Sequence, residues 1–398
     1  MRRIRIAEVD FPLDAPELKA HLARAHATHA RPLCLCCSPG APMYVAQIGG
    51  RYLLKRMPES GPSHDPSCDS YEAPYELSGF GHLAGTAIRE NVDDGVTLLR
   101  LDFSLSKSGA RAPAVVAEAG EAGSVATDGS KLSLRALLHY LWDQAEFNRW
   151  RPGMAGKRNW AVIRKFLLEA AQGKTAKGRS LLDALYIPEM FHSERETEIT
   201  QRRIAFMNRI AATEGSKRPL LVLIGELKDI APTRFGHRIL LKHLPKFPFL
   251  LNDDIHRRMA AKYANEMSLW EAMPESHLVA IATFEVTSAG IASIETIALM
   301  VVTENWIPFE HSYDAALLDA LTRGRASYLK GLRYNLPINR PLASVVLRED
   351  GAAPVAMYIV PPTADDVFRV ALEQLRGESE MAAWVWAAGD AEMPPLPL

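Results

Sequence analysis

The sequence is poor in features that would name an activity. No apolar run approaches the roughly 20 residues of a membrane-spanning helix, and the longest candidates, such as residues 219–225, have the length of a strand. There is no nucleotide-binding glycine fingerprint, and neither the Gly-x-Ser-x-Gly nor the His-Glu-x-x-His motif of common hydrolases occurs. The net charge of −1 favours no class of partner. We therefore expect no membrane partner, and no catalytic residue can be named, although an unfamiliar catalytic site would leave no such trace.

Cysteine is also scarce, and its distribution is informative. The four cysteines are Cys34, Cys36, Cys37 and Cys68, and no other occurs in the 398 residues. His64 precedes the last of them by four positions. Structural zinc sites take four thiolate or imidazole ligands, and such sites are often assembled from two closely spaced pairs. The sequence therefore predicts a metal site near the N-terminus, with zinc as its cofactor.

Three cysteines compete for the two positions of the first ligand pair. Cys34 with Cys37 has the common Cys-x2-Cys spacing, whereas Cys34 with Cys36 has the rarer Cys-x-Cys spacing. His64 and Cys68 form the second pair. Residues 43–56, between the pairs, have the pattern of two strands joined by a Gly-Gly hairpin turn. Two cysteine-bearing turns bridged by a hairpin predict a zinc-ribbon-like module.

Two alternatives to zinc remain open on these residues. The thiols could form disulfides, which an intracellular compartment disfavours, or they could be inert buried thiols beside a surface histidine. The first ten residues lack the apolar segment of a signal peptide, so we expect a cytoplasmic protein. Three histidines on a predicted helix could replace a missing ligand or simply lie on its exposed face: His21, His26 and His29.

Several short motifs spread over the chain carry a family resemblance. They are Pro32-Leu-Cys-Leu-Cys36, Met43-Tyr-Val-Ala, Lys55-Arg-Met-Pro-Glu-Ser-Gly61, His64-x3-Cys68, Trp306-Ile-Pro-Phe-Glu310 and Lys330-Gly-Leu-Arg-Tyr334. With them the chain resembles an uncharacterised bacterial family, a domain of unknown function with three characteristic N-terminal cysteines. The resemblance implies that Cys34, Cys36 and Cys68 are the shared cysteines and that Cys37 is extra. Members of that family are often encoded on plasmids and integrative elements, so the resemblance also implies such an origin for this chain. The resemblance supplies no established activity.

Hydrophobic periodicity predicts an α+β chain with several domains. Residues 1–105 form the N-terminal module with the Cys/His site, 106–130 a Gly-, Ala- and Ser-rich linker or loop, and 131–215 a helical region. Residues 216–380 are predicted to form a mixed α+β domain, and residues 381–398 are predicted to form a tail. Part of that domain is similar to the restriction-endonuclease-like fold. Its strands at 341–347 and 354–360 lack the metal-binding acids and lysine of such nucleases, so we expect a degenerate version.

Positive charge is concentrated in one part of the chain. Between residues 149 and 179 there are nine cationic residues and one acid, Glu169. A basic segment on short helices is similar to a winged-helix arrangement and predicts contacts with nucleic-acid phosphates, with DNA favoured over RNA. The alternative is a solvated helix face whose tryptophans pack in the core. The predicted contact residues are Arg149, Arg151, Lys157, Arg158, Arg164, Lys165, Lys174, Lys177 and Arg179.

Together these patterns predict a zinc-binding, nucleic-acid-associated accessory protein of bacterial mobile elements. One alternative is a metal-dependent nuclease that uses Glu226 and Lys228, an acid-x-Lys pair at the end of an apolar strand. The simpler interpretation of that pair is the solvated end of the strand. A further alternative is a zinc-stabilised scaffold for protein partners, whose identity the sequence does not indicate.

Overall fold

A computed structural model of the chain describes residues 3–108, 129–211, 217–349, 351–389 and 392–398. No helix among these residues has the length and apolar character needed to cross a membrane. The α-helices of the described residues are α1 (Leu18–Ala27), α2 (Leu134–Gln144), α3 (Trp160–Ala171), α4 (Leu181–Ala184), α5 (Glu196–Ala211), α6 (Asp253–Lys262), α7 (Ala264–Ala272), α8 (Ser312–Arg323) and α9 (Asp366–Glu378).

The strands are short in the first half of the chain and longer in the second. They are β1 (Arg3–Ile6), β2 (Val9–Pro12), β3 (Leu33–Cys34), β4 (Ala41–Ile48), β5 (Arg51–Arg56), β6 (Ile88–Glu90), β7 (Thr97–Leu99), β8 (Ser106–Ser108), β9 (Arg149–Trp150), β10 (Lys174–Ala176), β11 (Arg179–Ser180), β12 (Leu185–Tyr186), β13 (Lys217–Pro219), β14 (Leu221–Thr233), β15 (Gly236–Leu241), β16 (Leu244–Leu251), β17 (His277–Val286), β18 (Ala292–Val302), β19 (Tyr328–Lys330), β20 (Val345–Leu347), β21 (Val355–Val360) and β22 (Ala382–Ala387). The chain is therefore mixed α+β, as predicted.

The N-terminal sheet has the strand order β2-β1-β3-β4-β5. Its longest pair, β4 with β5, is an antiparallel hairpin. Gly49 and Gly50 form the turn with φ values of +56° and +75°, which glycine adopts without steric cost. The hairpin predicted from the Gly-Gly sequence is confirmed. Helix α1 packs on this sheet and buries Leu18 and Leu22 against Ile4.

The largest sheet has the order β12-β14-β15-β16-β18-β17, and β14 also pairs with β17. The 13-residue strand β14 is long enough to pair with β17 along its first half and with β15 along its second half. Helices α2 and α7 contact β17 and β18, and α6 contacts β18. Their apolar faces and the sheet make the main core of the described residues, which includes Leu137, Leu223 and Ile281.

Two smaller sheets join segments that are far apart in the sequence. One has the order β22-β21-β20-β19-β9, so residues 149–150 pair with the C-terminal strands. The other, β11-β10-β7-β6, joins residues 88–99 to residues 174–180. Backbone hydrogen bonds therefore link the predicted N-terminal, helical and C-terminal regions to one another. The boundaries proposed between these regions stay a prediction.

Helix boundaries follow local sequence rules closely. Ser133 caps α2 and Asn159 caps α3, each accepting a hydrogen bond from a backbone N–H of the first turn. The region 131–215, predicted to be helical, also contains the short strands β9 to β12. Strands β10 and β11 form an antiparallel hairpin whose turn has Lys177 and Gly178 at positive φ.

The C-terminal part contains the strands that were predicted near residues 341–347 and 354–360, and one further strand in the segment that was predicted to be a tail. Strands β20 and β21 form an antiparallel pair. The similarity of this domain to the restriction-endonuclease-like fold stays a prediction. The predicted tail, 381–398, includes β22, which pairs in parallel with β21. Trp384 in β22 donates a hydrogen bond to the carbonyl of Pro395 at 3.0 Å. Of the predicted linker, residues 109–128 lie outside the described residues.

Candidate metal centre

The first part of the candidate centre is the cysteine loop, residues 34–40. Cys34 is the last residue of β3, where it pairs with Ile4 on one side and Ala41 on the other, and it is completely buried. The chain reverses through Gly40, whose φ of +119° is rarely adopted by other residues. The loop therefore leaves the sheet and returns to it within a few residues, and its thiols are held at the end of the sheet.

The second part is the histidine loop, residues 61–72. It begins with a 3-10 turn at Gly61–Ser63 and contains a further turn in which the Cys68 N–H donates to the Asp65 carbonyl at 2.8 Å. The Glu72 N–H closes the loop with a hydrogen bond to the Gly61 carbonyl at 3.3 Å. A Cβ atom on Gly61 would lie 2.6 Å from Glu72 Cβ, so this closure requires glycine.

The two loops bring four potential ligands together. One ligand atom each from Cys34, Cys36, His64 and Cys68 lies within 4.8 Å of all the others. The Sγ atoms of Cys34 and Cys68 are 3.8 Å apart. The Nδ1 atom of His64 lies 3.4 Å from Cys36 Sγ and 3.9 Å from Cys68 Sγ. Within the described residues, no other set of three or more His, Cys, Asp or Glu side chains has this arrangement.

The cluster lies largely out of solvent, and its sulfur atoms accept backbone hydrogen bonds. His64 is 3% exposed and Cys68 is 6% exposed. The N–H of Asp65 donates to Cys36 Sγ, and that of Ser70 donates to Cys68 Sγ, both at 3.4 Å. Such donors favour the thiolate over the thiol because they stabilise negative charge on sulfur. The four side chains can therefore hold a metal ion as a Cys3His set.

Without a metal, the thiols of the cluster differ in acidity. A hydrogen bond from Cys68 lowers the pKa of Cys34 to about 7, whereas burial raises the pKa of Cys36 to about 11. A metal ion requires deprotonated thiols, so its binding would displace protons from this site.

Cys37 lies outside the cluster. Its thiol donates to the backbone carbonyl of Ser63 at 3.4 Å, and its Sγ atom is 4.0 Å from that of Cys36. The chain turns at residues 35–36 directly after β3, and this turn places the Cys36 thiol within the cluster and leaves the Cys37 thiol outside it. The rarer Cys-x-Cys spacing is therefore the one that faces His64 and Cys68.

Two buried arginines from distant parts of the chain hold the histidine loop. Arg348, 5% exposed, donates through Nε to the carbonyl of Pro66 at 2.5 Å and through Nη2 to that of Cys68 at 3.1 Å. Arg149, also 5% exposed, donates to the carbonyls of Asp69 at 2.7 Å and Tyr71 at 3.0 Å. We call these two residues the arginine clamp. Hydrogen bonds from charged donors are the stronger kind, so the clamp ties the loop to the C-terminal sheet.

Two of the nine predicted nucleic-acid contact residues are buried. Arg149 belongs to the arginine clamp. Lys174 is 4% exposed and donates to Thr97 Oγ1 at 3.2 Å. Burial lowers the pKa of Lys174 to about 7. Neither side chain reaches the surface, so neither is available to a phosphate group in this conformation.

Three more of these cations have partners within the protein. Arg158 and Arg164 are half-buried and donate to backbone carbonyls. Arg151 forms an ion pair of 2.6 Å with Asp69. The remaining four are exposed, and nucleic-acid contact stays a prediction for them: Lys157, Lys165, Lys177 and Arg179.

Glu226 does not lie at a solvated strand end, so that interpretation was wrong. The side chain is 4% exposed and accepts hydrogen bonds from Lys242 at 2.9 Å and His277 at 2.7 Å, and its second oxygen lies 3.3 Å from His243 Nε2. Burial would raise its pKa, but the hydrogen bonds from His243, His277 and Lys242 outweigh burial and hold the pKa well below its usual range. Lys228 is exposed. The carboxylate is thus surrounded by basic groups rather than by the further acids that a nuclease metal site requires.

Sequence reasoning missed both arginines of the clamp as parts of the metal centre. Arg149 was assigned to nucleic acid because it begins a basic segment, and Arg348 was not singled out. Their partners are backbone carbonyls, which have no sequence signature. His243 and His277 were likewise missed. They contact Glu226 of β14 from the connection between β15 and β16 and from the start of β17, and sequence spacing does not reveal such contacts.

Comparison with known proteins identifies a family for the chain. A family model described as "Protein of unknown function (DUF1173)" matches residues 4–389. The chain belongs to this family, which confirms the resemblance predicted from its motifs. No curated protein and no solved structure matches the chain.

Proposed function

We propose that this family member is a zinc protein in which Cys34, Cys36, His64 and Cys68 are the four ligands of a structural site. The observation that carries the proposal is the spacing of the ligand atoms. Zinc–sulfur bonds of about 2.3 Å in a tetrahedron separate two sulfurs by about 3.8 Å, and a sulfur and a nitrogen by about 3.6 Å. The separations of 3.8, 3.4 and 3.9 Å agree with these values.

The ligand set supports zinc over other ions. Three thiolates and one imidazole are soft or borderline ligands, which exclude calcium and magnesium in practice, whereas zinc commonly takes this tetrahedral set. Four protein ligands leave no position for a reactive water, and the centre is largely buried. The proposed role is therefore structural. Free thiols persist in a reducing compartment, so a cytoplasmic location forms part of the proposal.

The histidine loop explains why a metal would be needed. Residues 61–72 contain one short 3-10 turn, and Cys68 and Tyr71 are their buried apolar side chains. A segment with so little core of its own requires a covalent or metal link to stay folded. The arginine clamp holds this loop from one side, and the metal would hold it from the other, across to β3.

The test is the metal content of the purified protein. The chain is prepared in the presence of a reductant, and its metals are measured by plasma mass spectrometry. One zinc per chain is expected, with loss of that zinc in the His64→Ala variant. Protein without metal, or zinc that remains in full after His64→Ala, would contradict the assigned ligands.

Nucleic-acid association is a second proposal, limited to the four exposed cations Lys157, Lys165, Lys177 and Arg179. It is supported by their exposure within one segment of the chain, and the mobile-element role implied by the resemblance belongs to it. Binding to labelled single- and double-stranded DNA is measured over a salt series. Glutamate at all four positions should weaken binding and flatten its salt dependence. Unchanged binding would contradict a nucleic-acid role for these four cations and would favour the alternative function of a scaffold for protein partners.

A further inference from the structure

Five strands of the largest sheet close into a barrel, β14-β15-β16-β18-β17. Strand β14 pairs with β17 over residues 221–226 and with β15 over residues 227–233. The antiparallel pairs β15–β16 and β17–β18 and the parallel pair β16–β18 complete the circle. A bulge between Leu227 and Asp229 lies where β14 changes its partner, and bulges bend strands in this way at the rims of barrels.

The order of connections around this barrel is that of the OB-fold, a five-stranded Greek-key barrel. Its first strand, β14, pairs with the second and the fourth, its third and fifth strands are parallel neighbours, and helices α6 and α7 connect the third to the fourth. Barrels of this kind bind ligands on the face of their second and third strands, beside the first–second and fourth–fifth connections. A fold does not by itself define a ligand, so the residues at that place must decide.

Side chains of β15 and β16 alternate between the inside and the outside of the barrel. Ile239 pairs with Phe249, and both are buried inside. Arg238 pairs with Leu250, and both are exposed on the outer face. Ile291 directly precedes β18, the parallel neighbour of β16, and is exposed as well. The outer face therefore presents apolar side chains and a guanidinium to solvent.

The turn between β14 and β15 carries an aromatic ring that does not pack in the core. Phe235 is 85% exposed, more than any other large apolar side chain among the described residues, and the guanidinium carbon of Arg234 lies 5.1 Å from its ring centroid. Gly236 closes the turn with a φ of +112°, and a Cβ atom there would lie 2.6 Å from the carbonyl oxygen of Leu251, so the turn is held at the end of β16. Five residues form what we call the barrel face: Arg234, Phe235, Arg238, Leu250 and Ile291.

The charge of the barrel face limits the class of its ligand. Arg234 and Arg238 are exposed, and neither has a salt-bridge partner in the described part of the chain. The exposed Asp229 of β14 lies opposite Leu240 rather than opposite an arginine. A neutral oligosaccharide, another ligand of such barrels, would leave both arginines without a partner. A polyanion whose flat rings can stack on an aromatic side chain matches the arginines and the ring together.

We infer that the barrel face binds single-stranded nucleic acid. An unpaired base stacks on Phe235, neighbouring bases lie against Leu250 and Ile291, and the two arginines contact phosphates. A duplex keeps its bases stacked on one another, so the ring of Phe235 favours a single strand. The barrel face lies outside residues 149–179, and this binding therefore does not rest on the four exposed cations proposed above.

The test uses labelled single-stranded oligo(dT) and oligo(U) of about 12 nucleotides, a length within the range that one such barrel covers. Each is titrated with the full-length protein, as purified, by fluorescence anisotropy at low salt, beside a DNA duplex of the same length. At least one single strand should bind about tenfold or more tightly than the duplex, because only its bases are free to stack. The two single strands tell DNA from RNA.

Exposed positions allow variants that leave the fold intact. Phe235→Leu keeps an apolar side chain but removes the ring, and should weaken single-strand binding by about tenfold, whereas Phe235→Trp keeps a stacking surface and should retain the binding. Arg238→Gln should weaken binding and reduce the slope of log affinity against log salt by about 0.7, the value for one phosphate contact on a single strand. Ile338→Ala, at an exposed apolar position outside the barrel, is the control and should change nothing.

A variant of the basic segment separates this site from the one proposed above. Glutamate at all four exposed cations of residues 149–179 should leave both the preference for a single strand and its loss in Phe235→Leu in place. No single-strand binding at low salt, equally tight binding of the duplex, or wild-type affinity of Phe235→Leu would each show that the barrel face is not a nucleic-acid site. Binding that survives Phe235→Leu but is lost with the four glutamates would place it on the basic segment instead.

Discussion

The guanidinium of Arg348 donates a hydrogen bond of 3.1 Å to the backbone carbonyl of Cys68, across 280 positions of the sequence. Cys68 also shares a buried apolar cluster with Leu329, Val346 and Tyr358. The residue that carries one of the proposed zinc ligands is therefore part of the C-terminal core. Changes at the metal centre and in that core should affect one another.

The first prediction separates the two neighbouring cysteines. Cys36→Ser should reduce the zinc content of the purified protein strongly, because Cys36 Sγ faces His64 Nδ1 at 3.4 Å. Cys37→Ser is the matched control and should retain one zinc per chain, since its thiol bonds to a backbone carbonyl outside the cluster. Plasma mass spectrometry of the two variants measures the difference. Equal zinc content in both would show that the pair is interchangeable, contrary to the geometry.

The second prediction concerns removal of the metal. A strong chelator should lower the thermal unfolding midpoint of the whole protein, because the histidine loop is tied to the C-terminal core. Free zinc at a thousand times its Kd stabilises the folded state by about 4 kcal/mol, and chelation removes this contribution. Differential scanning calorimetry with and without the chelator measures the shift, and re-addition of zinc is the control. An unchanged midpoint would indicate that the centre does not stabilise the fold.

The third prediction tests the arginine clamp. Arg348→Met keeps much of the side-chain volume but leaves the carbonyls of Pro66 and Cys68 without these donors. Loss of buried hydrogen bonds from a charged group should lower the free energy of unfolding by about 3 kcal/mol and weaken zinc binding. Chemical denaturation and a zinc competition assay measure the two effects. The control is Arg340→Met, since Arg340 is exposed; equal effects of the two substitutions would argue against the clamp.

The fourth prediction concerns Glu226. Glu226→Gln removes the buried charge that pairs with Lys242 and accepts hydrogen bonds from the two histidines, and should lower the free energy of unfolding by about 3 kcal/mol at neutral pH. The folded-state pKa of Glu226 is depressed, so its contribution to stability is present above the unfolded-state pKa of about 4.3 and is lost as the pH falls.

The stability difference between wild type and Glu226→Gln should therefore shrink below about pH 4. Denaturant unfolding over a pH series measures it. Glu275→Gln, at an exposed position, is expected to change little at any pH. A difference that is constant with pH would show that the charge of Glu226 is not what stabilises the cluster.

Much of the local structure could be predicted from the sequence, because its causes are local. The limits of α3 follow from an Asn cap and an apolar repeat, and the β4–β5 hairpin follows from two adjacent glycines with positive φ. The grouping of cysteines also indicated the Cys/His cluster. The basic segment was a poorer guide, because charge along a sequence does not reveal whether a side chain such as Lys174 is solvated or buried.

By itself the sequence determined the α+β class, the caps and turns, the family, and the short list of possible metal ligands, since these depend on residue type and spacing. Only the tertiary structure decided that Cys36 rather than Cys37 faces His64, that Arg149 and Arg348 hold the histidine loop, and that Glu226 is buried among basic groups. The physical reason is that these contacts join residues 16 to 282 positions apart. Their formation depends on how sheets and loops pack, which no local pattern of residues encodes.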